Sequence, residues 1–219
     1  MSQTVCEYPV NEKERIAALR RYEILDTPPD GSFDHLTRLA AYIFNVPIAI
    51  ISLVDHDRIW FKSRFGVEAE QLDRAPGLCA SAILSDNLYV VDHAAEDART
   101  LSNPLVTGAL GLRFYAAAPL HTQDGYNLGT FCVIDKKPRY FTEEQRAALP
   151  ALAKIVIDEL ERRLSGRKYL QKIHAELEAA LAALKPWGVG QGQDVASAVG
   201  RIQTLSQELA AKANPGPPK

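Results

Sequence analysis

Apolar positions along this chain switch between the helical step of three or four and the short β-branched runs of buried strands. Ile16, Leu19, Tyr22 and Leu25 recur at steps of three across residues 11–25, which predicts an amphipathic helix stopped by Thr27-Pro28-Pro29. A second stripe, Phe33, Leu36, Leu39, Ala40, Ile43 and Phe44, predicts a helix with Ser32 as N-cap and Pro47 at its end. The run IAIISLV over residues 48–54 reads as a strand covered on both faces. Ile59-Trp60-Phe61 follows as its hairpin partner across the turn Asp55-His56-Asp57-Arg58. Residues 77–85 predict a short helix, 88–91 a short strand, and 92–111 a polar segment that serves as a lid.

Two further strands are expected over residues 114–121 and 127–135. They are joined by Gln123-Asp124-Gly125, whose Asp-Gly pair suits the positive φ of a tight antiparallel hairpin. Thr142-Glu143-Glu144-Gln145 is a capping box, in which the Thr142 hydroxyl serves the Gln145 N–H and Gln145 returns to the Thr142 N–H. The long helix it opens carries Leu149, Leu152, Val156, Leu160 and Leu164, with a bend expected at Pro150, where a backbone donor is lost. Leu170, Ile173, Leu177, Ala180 and Leu184 then form a heptad seam of the kind that pairs with a second helix. Three glycines after Pro186 break the pattern, and Asp194 is the candidate N-cap of a last helix bearing Val195, Val199, Ile202, Leu205 and Leu209.

Composition adds exclusions. The chain has 219 residues with 47% apolar and 24% charged, enough for a real core. Its net charge is −2 with no long run of either sign, so neither nucleic acid nor a membrane surface is expected as a partner. The N-terminal stretch lacks the apolar core of a secretion signal, and the expected location is cytoplasmic. Cys6, Cys79 and Cys132 are widely spaced and without a CxxC pair, which fits free thiols better than zinc or a disulfide framework.

The order of blocks NEKERIAALRRYEILDTPPD, FDHLTRLAAYIFNVPIAIISLVDHDRIWFKSRFGV, LYVVDHAAEDARTLSNPLV, LRFYAAAPL and LGTFCVIDKKPRYFTEEQ resembles a GAF domain, a small-molecule sensor module of signalling proteins. The resemblance implies an α+β, three-layer fold: a central antiparallel sheet of about six strands with helices on both faces, plus a C-terminal helical extension. The division expected is a flexible N-terminus over 1–10, the GAF domain over 11–165 and a coiled-coil-like helix over 166–185. A linker with an amphipathic helix over 186–213 and a disordered tail over 214–219 complete it. In such a fold the sheet is the floor of a pocket, and the segments 74–84 and 92–110 correspond to its roof. By that resemblance Trp60, Lys62, Cys79, Asp92, Arg99, Phe114, Tyr115 and Cys132 are the ligand-binding candidates. Two of Lys62, Asp92 and Arg99 facing one cavity would favour a charged metabolite.

Three more specific family patterns depart from this sequence. GAF modules that attach a linear tetrapyrrole typically place His after the cysteine, whereas Ala80 follows Cys79. Modules that bind cyclic nucleotides carry Asn-Lys and, later, Phe followed after three residues by Asp-Glu. The positions here read Asp135-Lys136, Phe141 and Gln145-Arg146. Free methionine sulfoxide reductase uses clustered pocket cysteines, and its cysteine spacing differs from the one here; a thiol reaction of that kind would need Cys79 and Cys132 within disulfide reach. Cys79 reads either as a small buried residue or as a thiol activated at the start of a short helix.

The histidines form no HxxxH or HExxH pair. Asp55-His56-Asp57 reads as polar turn chemistry in preference to a divalent-metal site. No GxSxG, P-loop or GxGxxG is present, so no enzyme is expected and no cofactor is named. The leading expectation is a ligand-sensing regulatory module acting through a homodimer of its C-terminal helices and a signalling partner protein, because no output block follows residue 165. A scaffold protein without ligand and a thiol-dependent sulfoxide reductase are the alternatives.

Overall fold

A computed structural model describes residues 8–184 and, beyond them, 197, 200–205, 207 and 208. Cys6, the linker after Pro186 and the candidate cap Asp194 lie outside the described residues. The element order is α1 (Glu12–Arg21), α2 (Gly31–Phe44), β1 (Ile48–Val54), β2 (Arg58–Phe65), β3 (Gln71–Asp73), α3 (Leu78–Ala82), β4 (Tyr89–Val91), α4 (Pro104–Thr107), β5 (Phe114–His121), β6 (Asn127–Asp135) and α5 (Glu143–Leu184). The described residues form the expected α+β arrangement, one antiparallel six-stranded sheet ordered β3-β2-β1-β6-β5-β4.

The bounds of β1, β5 and β6 coincide with their apolar runs. β6 lies at the centre, with all nine of its residues buried, and pairs with β1 on one side and β5 on the other. The register sets Ile50 and Ala117 on either side of Cys132. Side chains of one strand alternate between the two faces, so this register sorts the core into two halves. Phe44, Phe114 and Phe141 cluster on one face, with ring centroids 5.5 and 5.6 Å apart. Ile48, Ile50, Phe61, Tyr115, Cys132 and Ile134 join α3 and the α4 segment on the other.

Several local choices differ from the expected ones. The cap of α2 is Asp30, whose carboxylate accepts the Ser32 N–H at 3.0 Å, and not Ser32 itself. An ionised carboxylate is the better acceptor for the exposed amides of a first turn. Asn45 ends that helix in the left-handed conformation before Pro47. In the β5–β6 hairpin only Gly125 has positive φ, because the loop carries an extra residue and is not the two-residue turn. The short β3 and α4 were not anticipated. α4 is opened by the Asn103 side chain, which accepts the Leu105 N–H, with Pro104 in the first turn.

The capping box forms as expected, with the Gln145 N–H to Thr142 Oγ1 at 3.3 Å and the Thr142 N–H to Gln145 Oε1 at 3.1 Å. The helix it opens continues through Pro150 and past Ser165-Gly166 to Leu184. The chain divides into two compact units, 1–159 and 160–219. In the second unit Leu170, Ile173 and Leu177 are only half-buried, and residues 200–205 are helical.

At Gly129 the backbones of β6 and β1 approach so closely that a Cβ would stand 1.9 Å from the Ser52 carbonyl oxygen. Gly129→Ala must therefore displace main chain at the centre of the sheet. We expect a loss of about 3 kcal/mol or more, read from the midpoint of urea unfolding at unchanged slope.

Candidate functional site

A cavity of about 220 Å³ lies between the sheet and the segments that cross its α3 face. Its floor is Ile48 and Ile50 of β1, Phe61 of β2, Tyr115 of β5, and Cys132 and Ile134 of β6. Its walls and roof come from Val67, Ala69 and Leu72 around β3, Leu78 and Cys79 of α3, and Leu105, Leu110 and Leu112 around α4. No charged side chain lines it. A second hollow of about 370 Å³, bounded by Asp86, His121, Lys154, Asp158 and Pro150, is a more open surface groove of mixed polarity. The apolar cavity is the less open of the two and the better binding site, since ligand sites bury most of the ligand surface.

The roof elements are too short to hold their own shape and are tied by side chains. Asn103 caps α4 through its carbonyl while its amide donates to the Pro76 carbonyl just before α3, both at 2.8 Å. The Asn127 amide of β6 donates to the Ile83 and Ser85 carbonyls and to Asp86, fastening the far end of α3. Arg74, before α3, donates to the Asp55 carbonyl at 2.9 Å and pairs with Glu12 of α1.

Three of the eight residues named from the sequence reach the cavity: Cys79, Tyr115 and Cys132. The other five do not line it. Trp60 and Lys62 flank Phe61 in β2 and so point to the opposite face. There the Lys62 ammonium donates to Thr27 Oγ1 and the Pro28 carbonyl, both at 2.8 Å, with the Phe33 ring near. Phe114 precedes Tyr115 and packs on Phe141 for the same reason. Asp92 accepts the Phe141 N–H at 3.3 Å. Arg99 donates to Asp97 at 2.9 Å and to the Val90 carbonyl at 2.8 Å, and lies over the Tyr89 ring. Its hydrogen bond holds the Asp97 carboxyl below the usual range. The condition for a charged metabolite is thus not met, because none of Lys62, Asp92 and Arg99 lines the cavity.

The cavity-facing thiols are not isolated. Cys79 and Cys132 both line the cavity, and the Tyr115 hydroxyl donates to the Cys79 sulfur at 3.3 Å. Ser52 and Thr130, with oxygens 2.9 Å apart, complete the cluster. The Cys132 thiol, joined by the hydroxyl donors and opposed by burial, lowers the Cys79 thiol from its ordinary value. Cys132 is raised by Cys79 and by burial. Burial, with the thiols beside it, raises Tyr115 well above the ordinary phenol value. The positions compared with cyclic-nucleotide binders are occupied structurally: Asp135 pairs with Arg139, Phe141 is in the core, and Gln145 serves the capping box.

The GAF-domain family model matches residues 28–159, more than half of the chain. This chain belongs to the GAF family. It is 39% identical over 151 residues to the cyclic di-GMP phosphodiesterase PA2567 of Pseudomonas aeruginosa, covering 68% of this chain and 26% of that protein. The chain therefore spans about a quarter of the length of the curated relative it matches. Among solved structures, a type II free methionine-R-sulfoxide reductase from Thermoplasma acidophilum superposes with a TM-score of 0.51 at 13% identity, over 60% of this chain and 92% of that one. The free methionine-R-sulfoxide reductase of Neisseria meningitidis gives 0.50 at 18% identity, over 71% and 94%. At such identities these two share the GAF fold with this chain.

The expectation of no enzyme is corrected by these findings. A relative at 39% identity, of whose length this chain spans about a quarter, is named as a phosphodiesterase. Contiguous motifs such as GxSxG or a P-loop report only the chemistries that use them, and an activity assembled from dispersed residues leaves no such mark. What the alternation of β2 and β5 could have shown, had it been applied to the site, is that Phe61 and Tyr115 face one way while Trp60, Lys62 and Phe114 face the other.

Asn103→Ala removes both the cap of α4 and its tie to Pro76. We expect a cost of about 1 kcal/mol, seen as roughly fivefold faster amide exchange confined to residues 104–112.

Proposed function

We propose that this chain is a ligand-sensing GAF module of a cytoplasmic signalling system that hydrolyses cyclic di-GMP, and that its ligand is a small, uncharged, mainly apolar molecule. The observation that carries the reading is the cavity of about 220 Å³ with no charged side chain in its lining. A charged ligand would surrender its hydration there without a partner, at a cost far above that of burying a neutral polar group, about 2–7 kcal/mol. Apolar surface entering it gains about 25 cal/mol per Å². An apolar cavity of about 150 Å³ already accepts benzene, so this volume matches a one- or two-ring molecule.

Cyclic di-GMP, with two phosphates and two guanines, suits neither the size nor the polarity of this cavity. The relationship to PA2567 supports a part for the chain in phosphodiesterase activity, with the cavity as its regulatory input. A ligand shifts such an activity only by binding one arrangement of the roof better than another. The half-buried seam of Leu170, Ile173 and Leu177 supports a homodimer through the C-terminal helices, by which that arrangement reaches an output domain or partner protein.

The test is thermal unfolding of the chain with indole as an uncharged probe and indole-3-acetate as its charged counterpart. Indole at about a hundred times its dissociation constant should stabilise the protein by about 2.7 kcal/mol, and the carboxylate should not. Ala69→Phe at the exposed rim should abolish the effect while leaving the unliganded melting temperature within a few degrees. Equal responses to both probes, or an undiminished response in the rim variant, would reject the reading.

A further inference from the structure

Ligand binding by hydrocarbon walls makes no use of two sulfur atoms. Yet Cys79 on the roof and Cys132 on the floor both line the cavity, both are buried, and neither is in a disulfide. Around them Tyr115, Ser52 and Thr130 supply hydroxyl groups, the Tyr115 hydroxyl donating to the Cys79 sulfur at 3.3 Å. Such donors favour a thiolate at Cys79, the nucleophilic form of the residue. The second thiol, lining the same cavity, is placed as a resolving group.

We propose that Cys79 and Cys132 are a redox switch, oxidised by a small uncharged hydroperoxide to a disulfide that joins the roof to the floor. The step balances with the peroxide as sole oxidant. The Cys79 sulfur attacks one peroxide oxygen, the O–O bond breaks, and the other oxygen leaves as an alcohol or water carrying the thiol proton. Cys79 is then a sulfenic acid. The Cys132 sulfur displaces its hydroxyl, which departs as water with the Cys132 proton, and the S–S bond forms. Two thiols have lost two electrons and the peroxide has gained them.

The lining selects the oxidant. A charged tripeptide disulfide has neither the size nor the polarity for the cavity, whereas an uncharged hydroperoxide meets only apolar wall until it reaches sulfur. The bond would hold the two sulfurs at about 2.05 Å and so fasten α3 to β6, where only packing and hydrogen bonds hold it in the reduced protein. This switch concerns the same cavity as the proposed ligand but rests on the thiols alone.

The full-length chain, reduced and then treated with cumene hydroperoxide, is alkylated under denaturing conditions and weighed intact and as peptides. We expect loss of two hydrogen atoms, a linked peptide joining Cys79 to Cys132, and restoration by dithiothreitol. Cys6→Ser should behave as the wild type, and Cys132→Ser should instead gain oxygen on Cys79. A link through Cys6, or Cys79 and Cys132 both still alkylated after oxidation, would overturn the switch without any variant being needed. Indole stabilisation of the reduced protein is read from the same preparation. If it persists where no disulfide forms, the switch fails and the ligand reading stands.

Discussion

The structure depends on the position of β6 between β1 and β5, with every residue of that strand buried on one face or the other. A strand in that place fixes two cores at once, because each step along it changes sides. On the helical side the space is filled by large rings, Phe44, Phe114 and Phe141. On the other side Ile48, Ile50, Phe61, Tyr115, Cys132 and Ile134 form a floor over which the roof segments leave a cavity of about 220 Å³.

Above that hollow sit elements that could not stand alone. α3 and α4 are five and four residues long, well below the length at which a helix holds itself in water. They are placed by polar ties, from Asn103 to Pro76, from Asn127 to the end of α3, and from Arg74 to the β1–β2 turn. A roof of short pieces on separate tethers can change arrangement at small cost, while the sheet below stays fixed. That contrast is what a regulatory cavity needs, since the ligand must find two arrangements of unequal affinity.

Much of the frame was legible in the sequence because it is written in long periods. The runs of β1, β5 and β6, the stripe of α2 and the Thr142 capping box all have unambiguous local causes. β3 escaped because three residues make no period, and α4 because its four residues make none either and lie within the polar segment 92–111. The site was legible only in its smaller part. Cys79, Tyr115 and Cys132 reach the cavity, while Trp60, Lys62 and Phe114 were drawn to it by chemical interest though they sit one residue out of phase with its floor. Asp92 and Arg99 lie in the segment after β4, where no period fixes direction, and they serve the loop itself. The charge-free lining is a property of how distant segments meet, which no local pattern carries.

The most direct measurement of the central claim is diffraction from crystals of this chain held under xenon, an uncharged apolar atom that reports dry, unfilled space. The account predicts xenon density between Phe61, Leu72, Cys79 and Leu112, with no more than minor movement of the floor. An empty position there, with the roof packed down onto Tyr115 and Cys132, would contradict it.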